Sequence, residues 1–132
     1  LIVAENFPTY EYIIKFLSDI MTICEKNDLM MVLKIKRTLT NIHHPKYIKF
    51  LNDFNLKNNT ILLDPETSAS SIIEQSSKII SAPFCSPSII AKNLNIPSIY
   101  YDPLSIYLKN NPVAHNVDII MGKDMLKKWI TS

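Results

Sequence analysis

Short stretches that are apolar at nearly every position alternate along the chain with longer stretches in which apolar residues recur every three or four positions. The first pattern is typical of a strand buried on both faces, and the second is typical of an amphipathic helix. The sequence therefore predicts six strands, at residues 1–4, 29–35, 60–63, 78–82, 96–102 and 117–121.

Five helices are predicted between and after these strands, at residues 9–27, 45–54, 68–77, 86–94 and 122–130. The second helix begins at Pro45, which fits a first turn because the N–H that proline lacks would have no partner there. Thr9, after Pro8, can cap the first helix.

Strands that alternate with helices indicate an α/β fold. We expect one domain over residues 1–132, a doubly wound, mostly parallel, six-stranded Rossmann-like sheet between two layers of helices. Such sheets bind ligands at the carboxyl ends of their strands. Polar and charged residues gather at these ends, and this asymmetry is the first indication of function.

The composition excludes several classes of protein. A net charge of +2 is too small for a nucleic-acid-binding surface, and no apolar run approaches the roughly 18 residues of a membrane span. Cys24 and Cys85 lie far apart without metal-binding spacing, which indicates free thiols in a reducing compartment. No signal peptide is visible, which favours the cytoplasm. The chain begins directly in a strand at Leu1, and we expect it to be part of a longer protein.

Glycine is unusually rare in this chain. Gly122 is the single one, where an average usage of about 7% would give roughly nine. This rarity excludes the glycine-rich loops that surround phosphate in many nucleotide-binding proteins. An anion would have to bind to hydroxyl groups or to backbone amides at the start of a helix.

The segment "PFCSPS" contains the most informative helix start. Ser86 before a proline fits an N-cap, and Ser86 and Ser88 can hold phosphate there. A plain helix cap explains the same residues. A nucleophilic Cys85 is disfavoured, because Ala91 stands where a phosphatase-type loop would carry arginine.

Basic residues follow the second predicted strand. Lys36 and Arg37 can pair with a diphosphate, or they form a solvated basic turn. His44, just before the second helix, can donate to a phosphate, or it simply ends the loop. A metal site is disfavoured, because His43 and His44 are adjacent and no carboxylate lies at ligand spacing.

Two further strand ends carry candidate groups. Glu66 can bind a sugar or ribose hydroxyl and Ser68 can bind phosphate, although both also suit an ordinary helix start. Tyr101 can stack on a ligand and Asp102 can bind a hydroxyl, although "YYDP" is also a common way to end a strand.

The order of these motifs resembles a known family. Three segments, "ILLDPETS", "IISAPFCSPSIIAKNLNIPSIYYDPLS" and "AHNVDIIMGKDMLKKWI", together resemble the bacterial surface-polysaccharide biosynthesis proteins that are named for a Pro-Phe-Thr-Ser motif. The motif reads Pro83-Phe84-Cys85-Ser86 here, and the resemblance covers most of the chain from about Ile61 onward.

That family looks like the nucleotide-sugar-binding half of a GT-B glycosyltransferase, in which two Rossmann-like domains face each other across a cleft. The resemblance implies a nucleotide-sugar donor that is bound at helix starts, without a metal or another cofactor. Ser86 and Ser88 would hold its phosphate, and Lys36 with Arg37 would neutralise it. His44 is similar to the catalytic histidine of GT-B sialyltransferases, where it helps the phosphate leave.

The resemblance also implies partners outside this chain. An N-terminal acceptor-binding domain would supply the general base, so the chain alone is expected to be inactive. The whole protein would act in the cytoplasm on a capsule or O-antigen glycan. The rest of the protein could associate peripherally with the inner face of the membrane.

The sequence departs from the family pattern at two places, and these leave an alternative open. Cys85 replaces the motif's threonine, and Ile89, Ile90 and Ala91 stand where many GT-B enzymes carry a ribose-binding glutamate. The alternative is a non-catalytic Rossmann-like module for binding or assembly in a polysaccharide system. A signalling receiver domain is disfavoured, because strand five ends in "YYDP" and lacks the lysine expected there.

Overall fold

Strands and helices follow one another in the predicted order in a computed structural model of the chain. The structure describes residues 2–4, 10–34, 45–54, 57, 59–64, 66–83, 85–106 and 116–132. The strands are β1 (Ile2–Ala4), β2 (Met31–Lys34), β3 (Thr60–Leu63), β4 (Ile79–Ser81), β5 (Ser98–Asp102) and β6 (Asp118–Met121). The helices are α1 (Tyr10–Lys26), α2 (Pro45–Phe54), α3 (Ala69–Glu74), α4 (Ser86–Asn93) and α5 (Lys123–Ile130).

The strands are all parallel and pair in the order β3-β2-β1-β4-β5-β6. The α/β class and the parallel sheet are thus confirmed. The chain builds the sheet outward from β1 to β3, and then returns to the other side of β1 to add β4. This order creates a switch point between β1 and β4, where open α/β sheets form their ligand-binding crevice.

Successive residues of β4 and β5 contact helices on opposite faces of the sheet. Ile80 and Ile99 belong to the buried cluster formed with α1, α2 and α5, whereas Ile79 packs with α3 and α4. Tyr100 lies with Val117 in a third cluster on the α4 side. A strand buried on both faces must be apolar at every position, which is why these strands lack the polar alternation of a half-exposed sheet.

Helix α1 provides the largest part of the core. Its buried side chains follow helical spacing and include Tyr12, Phe16, Ile20 and Ile23. The opposite face is polar, as expected for an amphipathic helix that covers one side of a sheet. Among the described residues, no helix is both long enough and apolar enough to cross a bilayer.

Lys78 joins the start of β4 to the end of α5. Its Nζ donates hydrogen bonds to the carbonyl oxygens of Trp129 and Ile130, at 2.6 and 2.9 Å. The ammonium also lies 5.1 Å from the centre of the Trp129 ring. Carbonyl groups in the last turn of a helix have no intrahelical donor, so a cation there stabilises the helix end.

Gly122 occupies a turn whose backbone angles require glycine. It precedes α5 as the N-cap with φ of 90° and ψ of 144°, a conformation that is essentially restricted to glycine. A Cβ built on this residue would meet no atom within 4 Å. The requirement therefore comes from the backbone angles and not from crowding.

We expect Gly122→Ala to lower the free energy of unfolding by about 1–3 kcal/mol, because alanine is strained at this φ. Urea unfolding followed by circular dichroism measures the loss. Asn95→Gly is the matched control: Asn95 has φ of 59°, so glycine should leave stability unchanged or raise it slightly. An alanine variant as stable as the natural protein would contradict the assigned backbone strain.

Candidate functional site

The candidate site lies at the carboxyl edge of the sheet, beside the switch point. β1 and β4 are neighbours in the sheet, and they lead to α1 and α4, which cover opposite faces. In open α/β sheets the ligand-binding crevice forms at such a point, outside the carboxyl ends of the two strands.

Helix α4 begins at Ser86, as the sequence predicted, but Ser86 is not its N-cap. The N-cap is Cys85, in an extended conformation with φ of −82° and ψ of 145°, and Ser86 is already the first helical residue. The prediction of Ser86 as the N-cap is thus wrong. Pro87 is tolerated at the second position because amides of the first turn have no intrahelical acceptor.

This start leaves backbone amides without the usual cap. The N–H of Cys85 donates to the carbonyl oxygen of Ala82 at 3.1 Å, but its side chain makes no capping hydrogen bond. A capping hydroxyl would normally accept from an amide of the first turn, here that of Ser88. Ser86 is exposed beside these amides. The first turn of α4 thus presents donors and one exposed hydroxyl at the crevice.

Ser88 points into the protein. Its side chain is fully buried, its Oγ lies 2.5 Å from Oγ of Ser81, and it donates to the carbonyl oxygen of Ile99 at 2.7 Å. Ser98 also donates through Oγ to the carbonyl oxygen of Ser88 at 2.9 Å. The hydroxyl predicted to hold phosphate therefore ties α4 to β4 and β5.

Tyr101 and Asp102 also point inward, and both are fully buried. The Tyr12 hydroxyl donates to Oδ1 of Asp102 at 2.8 Å, and the Tyr101 hydroxyl donates to Oδ2 of Asp19 at 2.7 Å. Oδ2 of Asp19 also accepts from Nζ of Lys15 at 3.2 Å. The predicted stacking and hydroxyl-binding surfaces of Tyr101 and Asp102 are used within the protein.

Tyr12 and Asp19 are the residues that sequence reasoning missed. The available signal was the position of Asp19 on the apolar stripe of α1, between Phe16 and Ile23. A carboxylate on the buried side of a helix requires a partner inside the protein. The identity of that partner, Tyr101, depends on the packing of α1 against β5 and not on local sequence.

Burial, followed by the hydrogen bond to Asp19 and the charges of Asp19 and Asp102, raises the pKa of the Tyr101 hydroxyl. The phenol therefore keeps its proton and remains a hydrogen-bond donor to Asp19 far above neutral pH. Tyr101 therefore remains a donor to Asp19 throughout the physiological pH range.

Glu66 and Ser68 lie at the same edge but farther along the sheet. The Glu66 N–H donates to Oδ1 of Asp64 at 2.9 Å, so Asp64 shapes the turn, and Ser68 is the N-cap of α3 without a side-chain capping bond. Both side chains are exposed. Their strand, β3, is three positions from β4, or about 14 Å at 4.8 Å per strand. A single ligand that contacts both Glu66 and the start of α4 must therefore be elongated.

Lys36, Arg37 and His44 lie outside the described residues. Their predicted roles in binding and leaving-group chemistry stay predictions. Lys36 and Arg37 follow β2 and His44 precedes α2 along the sequence.

A cavity of about 360 Å³ lies at the opposite, amino edge of the sheet. It is lined by residues that include Met21, Cys24, Glu25, Met31, Asn59 and Thr60. Burial raises the pKa of the Cys24 thiol to about 11, so the thiol is neutral and unreactive at physiological pH. In the part of the chain that the structure describes, no cluster of three or more His, Cys, Asp or Glu side chains could hold a metal.

The comparison with protein families gives one result that spans the chain. A family model described as "Polysaccharide biosynthesis PFTS motif protein" matches residues 1–130. The match includes the helix start at Cys85 and Ser86. Comparison with curated protein sequences finds no match.

A solved structure shares the fold. It is the crystal structure of Methanocaldococcus jannaschii UDP-GlcNAc 2-epimerase in complex with UDP-GlcNAc and UDP, with a TM-score of 0.67 and 16% sequence identity. The match covers 98% of this chain and 36% of the epimerase chain, so this chain spans about a third of that protein. At this identity the similarity establishes the fold.

We expect Ser88→Ala to lower the free energy of unfolding by about 1–3 kcal/mol, because it leaves the buried Ser81 hydroxyl without this partner. Ser86→Ala is the matched control, since the same change at an exposed position should stay within about 0.5 kcal/mol. Urea unfolding measures both variants. Equal stability of the two would contradict the internal role of Ser88.

The raised pKa of the buried Cys24 thiol predicts that the protein loses stability at alkaline pH. The unfolded chain releases this proton near the ordinary pKa of 9.0, and the folded chain holds it to about 11. The stabilising contribution is therefore complete below pH 9 and declines as the pH rises to about 11. We expect a decline on the order of 2 kcal/mol from this group. Urea unfolding at pH 8 to 11 should show a shallower decline in Cys24→Ala, and an equally steep one would exclude Cys24 as the cause.

Proposed function

Because the chain belongs to the polysaccharide biosynthesis PFTS motif family, we propose that it is the donor-binding domain of a glycosyltransferase in bacterial surface-polysaccharide biosynthesis. In this proposal the diphosphate of a nucleotide-sugar binds at the start of α4. The reaction needs no metal and no cofactor besides the donor substrate.

The main support for this proposal is the first turn of α4. It lies at the switch point, its N-cap side chain makes no capping hydrogen bond, and the exposed Ser86 stands beside it. The start of a helix carries a partial positive charge and N–H groups that point outward, so it attracts phosphate without a glycine-rich loop. This arrangement is compatible with a chain that contains a single glycine.

The structural neighbour supports the same ligand class. The epimerase was crystallised in complex with UDP-GlcNAc and UDP. A shared fold does not transfer an activity, but the neighbour is a protein that contains this fold and binds a nucleotide-sugar. Together with a family named for polysaccharide biosynthesis, it favours a sugar nucleotide over other anionic ligands.

The remaining roles follow from the chemistry of a departing phosphate. Negative charge that develops on the diphosphate would be met by the α4 amides and Ser86, by Lys36 and Arg37, and by a proton from His44. Ser88 supports the helix from inside. The general base and the acceptor site would belong to a second domain, in keeping with the 36% of the epimerase length that the chain covers.

Glu66 and Ser68 complete the proposed donor site. They are exposed at the end of the edge strand β3, where the sugar or ribose end of an elongated donor would reach them. Tyr101 and Asp102 act behind the site in this proposal, because their side chains are buried.

A non-catalytic binding or assembly module is the second candidate, and one observation favours it. Ala91 is buried, and Ile89 and Ile90 pack against the core, so this face of α4 offers no carboxylate to a ribose. Ser86→Ala combined with Arg37→Ala in the producing cell separates the two candidates. Loss of the glycan supports the transferase, and normal glycan production supports the assembly module.

We expect the protein to bind at least one member of a panel of UDP-, GDP- and CMP-sugars, without added metal, in isothermal titration calorimetry. Ser86→Asp should weaken this binding about tenfold or more, because a carboxylate at the helix start repels the diphosphate while it stabilises the helix. Asn52→Asp, at an exposed position of α2, adds the same charge elsewhere and should bind normally. No binding to any donor, or unchanged binding by Ser86→Asp, would refute the proposed site.

A further inference from the structure

Strand β5 is hydrogen-bonded to a helix on each face of the sheet. On one face, Tyr12 and Asp19 of α1 contact Asp102 and Tyr101. On the other face, Ser88 of α4 donates to the carbonyl oxygen of Ile99. The two helices whose starts flank the crevice are therefore both positioned against the same strand.

The two α1–β5 hydrogen bonds run in opposite directions. Helix α1 provides the donor Tyr12 for Asp102, and β5 provides the donor Tyr101 for Asp19, at 2.8 and 2.7 Å. All four side chains are buried. Hydrogen bonds from a hydroxyl to a buried carboxylate are among the stronger ones in proteins. Removing the hydroxyl leaves the buried carboxylate without that donor, which lowers the stability of the fold.

The two bonds lie at different depths. Tyr12 is in the first turn of α1, seven residues before Asp19, which corresponds to about 10 Å along a helix. Asp102 is the last residue of β5. The Tyr12–Asp102 bond therefore lies at the carboxyl edge, next to the candidate site, whereas the Tyr101–Asp19 bond lies deeper in the α1–β5 interface.

Tyr12 shares a buried cluster with the residues that follow β4. Helix α1 follows β1, and β5 is two strands away with β4 between them. Helix α1 nevertheless packs against β5, where the ring centres of Phe16 and Tyr101 lie 5.7 Å apart, and β4 is the neighbouring strand. Ala82 and Cys85, which follow β4 and lead into α4, belong to the same buried cluster as Tyr12.

We propose that Tyr12 and Asp102 are a positioning pair for the start of α4. Their hydrogen bond fixes the start of α1 to the end of β5 and supports Ala82 and Cys85 between them. The first-turn amides of α4 are thereby held in one orientation toward the crevice. The consequence for ligand affinity rests on the proposed function, whereas the consequence for the order of the α4 start does not.

The chain offers a matched pair of variants. Tyr12→Phe and Tyr101→Phe each delete one hydroxyl, each leave one buried carboxylate of the α1–β5 interface without that donor, and each keep the ring. They differ in distance from the α4 start. Asp19 keeps its hydrogen bond from Lys15 in Tyr101→Phe, so a purely structural role predicts effects at α4 that follow each variant's loss of global stability. A positioning role predicts an additional, local effect of Tyr12→Phe at α4.

Amide hydrogen exchange of the protein without ligand is the first measurement. We expect Tyr12→Phe to accelerate exchange about tenfold at Cys85, whose N–H donates to the carbonyl oxygen of Ala82, and at Ile89, whose amide is the first of α4 that can donate within the helix. A tenfold change is the equivalent of one lost hydrogen bond. Tyr101→Phe should change these rates less than twofold. Asp102→Asn keeps an oxygen acceptor for the Tyr12 hydroxyl and should resemble the natural protein.

Titration with UDP and with inorganic pyrophosphate is the second measurement. Tyr12→Phe should weaken binding about tenfold, and Tyr101→Phe and Asp102→Asn less than twofold. Equal effects of the two tyrosine variants, or unchanged exchange at the α4 start in Tyr12→Phe, would overturn the positioning role. If the natural protein binds neither probe, the proposed function fails, and hydrogen exchange still decides the positioning role.

Discussion

The arrangement of this domain depends on two buried carboxylates in the interface between α1 and β5. Asp102 is fully buried and Asp19 is nearly so, and a buried carboxylate is tolerated only when donors surround it. Tyr101 and Tyr12 supply those donors. Apolar side chains pack acceptably in several registers. These two hydrogen bonds form together in one register, so they favour a single position of α1 on the sheet.

The same principle operates on the opposite face with neutral groups. Ser88 forms hydrogen bonds with the Ser81 hydroxyl and with the carbonyl oxygen of Ile99. Helix α4 therefore also has one preferred position on the sheet. Both helices begin at the carboxyl edge beside the switch point. Buried polar groups that do not contact a ligand therefore fix the positions of α1 and α4. Through these helices they also orient the exposed residues of the candidate site.

The sequence was informative about the elements and much less informative about the site. The bounds of α2 and β3 are those predicted, because hydrophobic period and the proline at a helix start are local properties. The N-cap of α4 was assigned one residue too late, since Cys85 and Ser86 differ as N-caps only through backbone angles. Ser88, Tyr101 and Asp102 were predicted to face a ligand, yet each has an internal partner 11 to 90 residues away in sequence. Such pairs follow from tertiary packing and leave no local pattern.

The cysteine at the start of α4 has a consequence for the thermodynamics of the domain. A threonine in its place, as in the motif that gives the family its name, can cap the helix with its own hydroxyl, which contributes about 1 kcal/mol. Cys85 makes no such bond, so part of the helix stabilisation is left for an external anion to supply. Occupancy and folding are then linked: an anion that binds these amides raises the melting temperature, and the empty domain has a helix start that is more easily frayed.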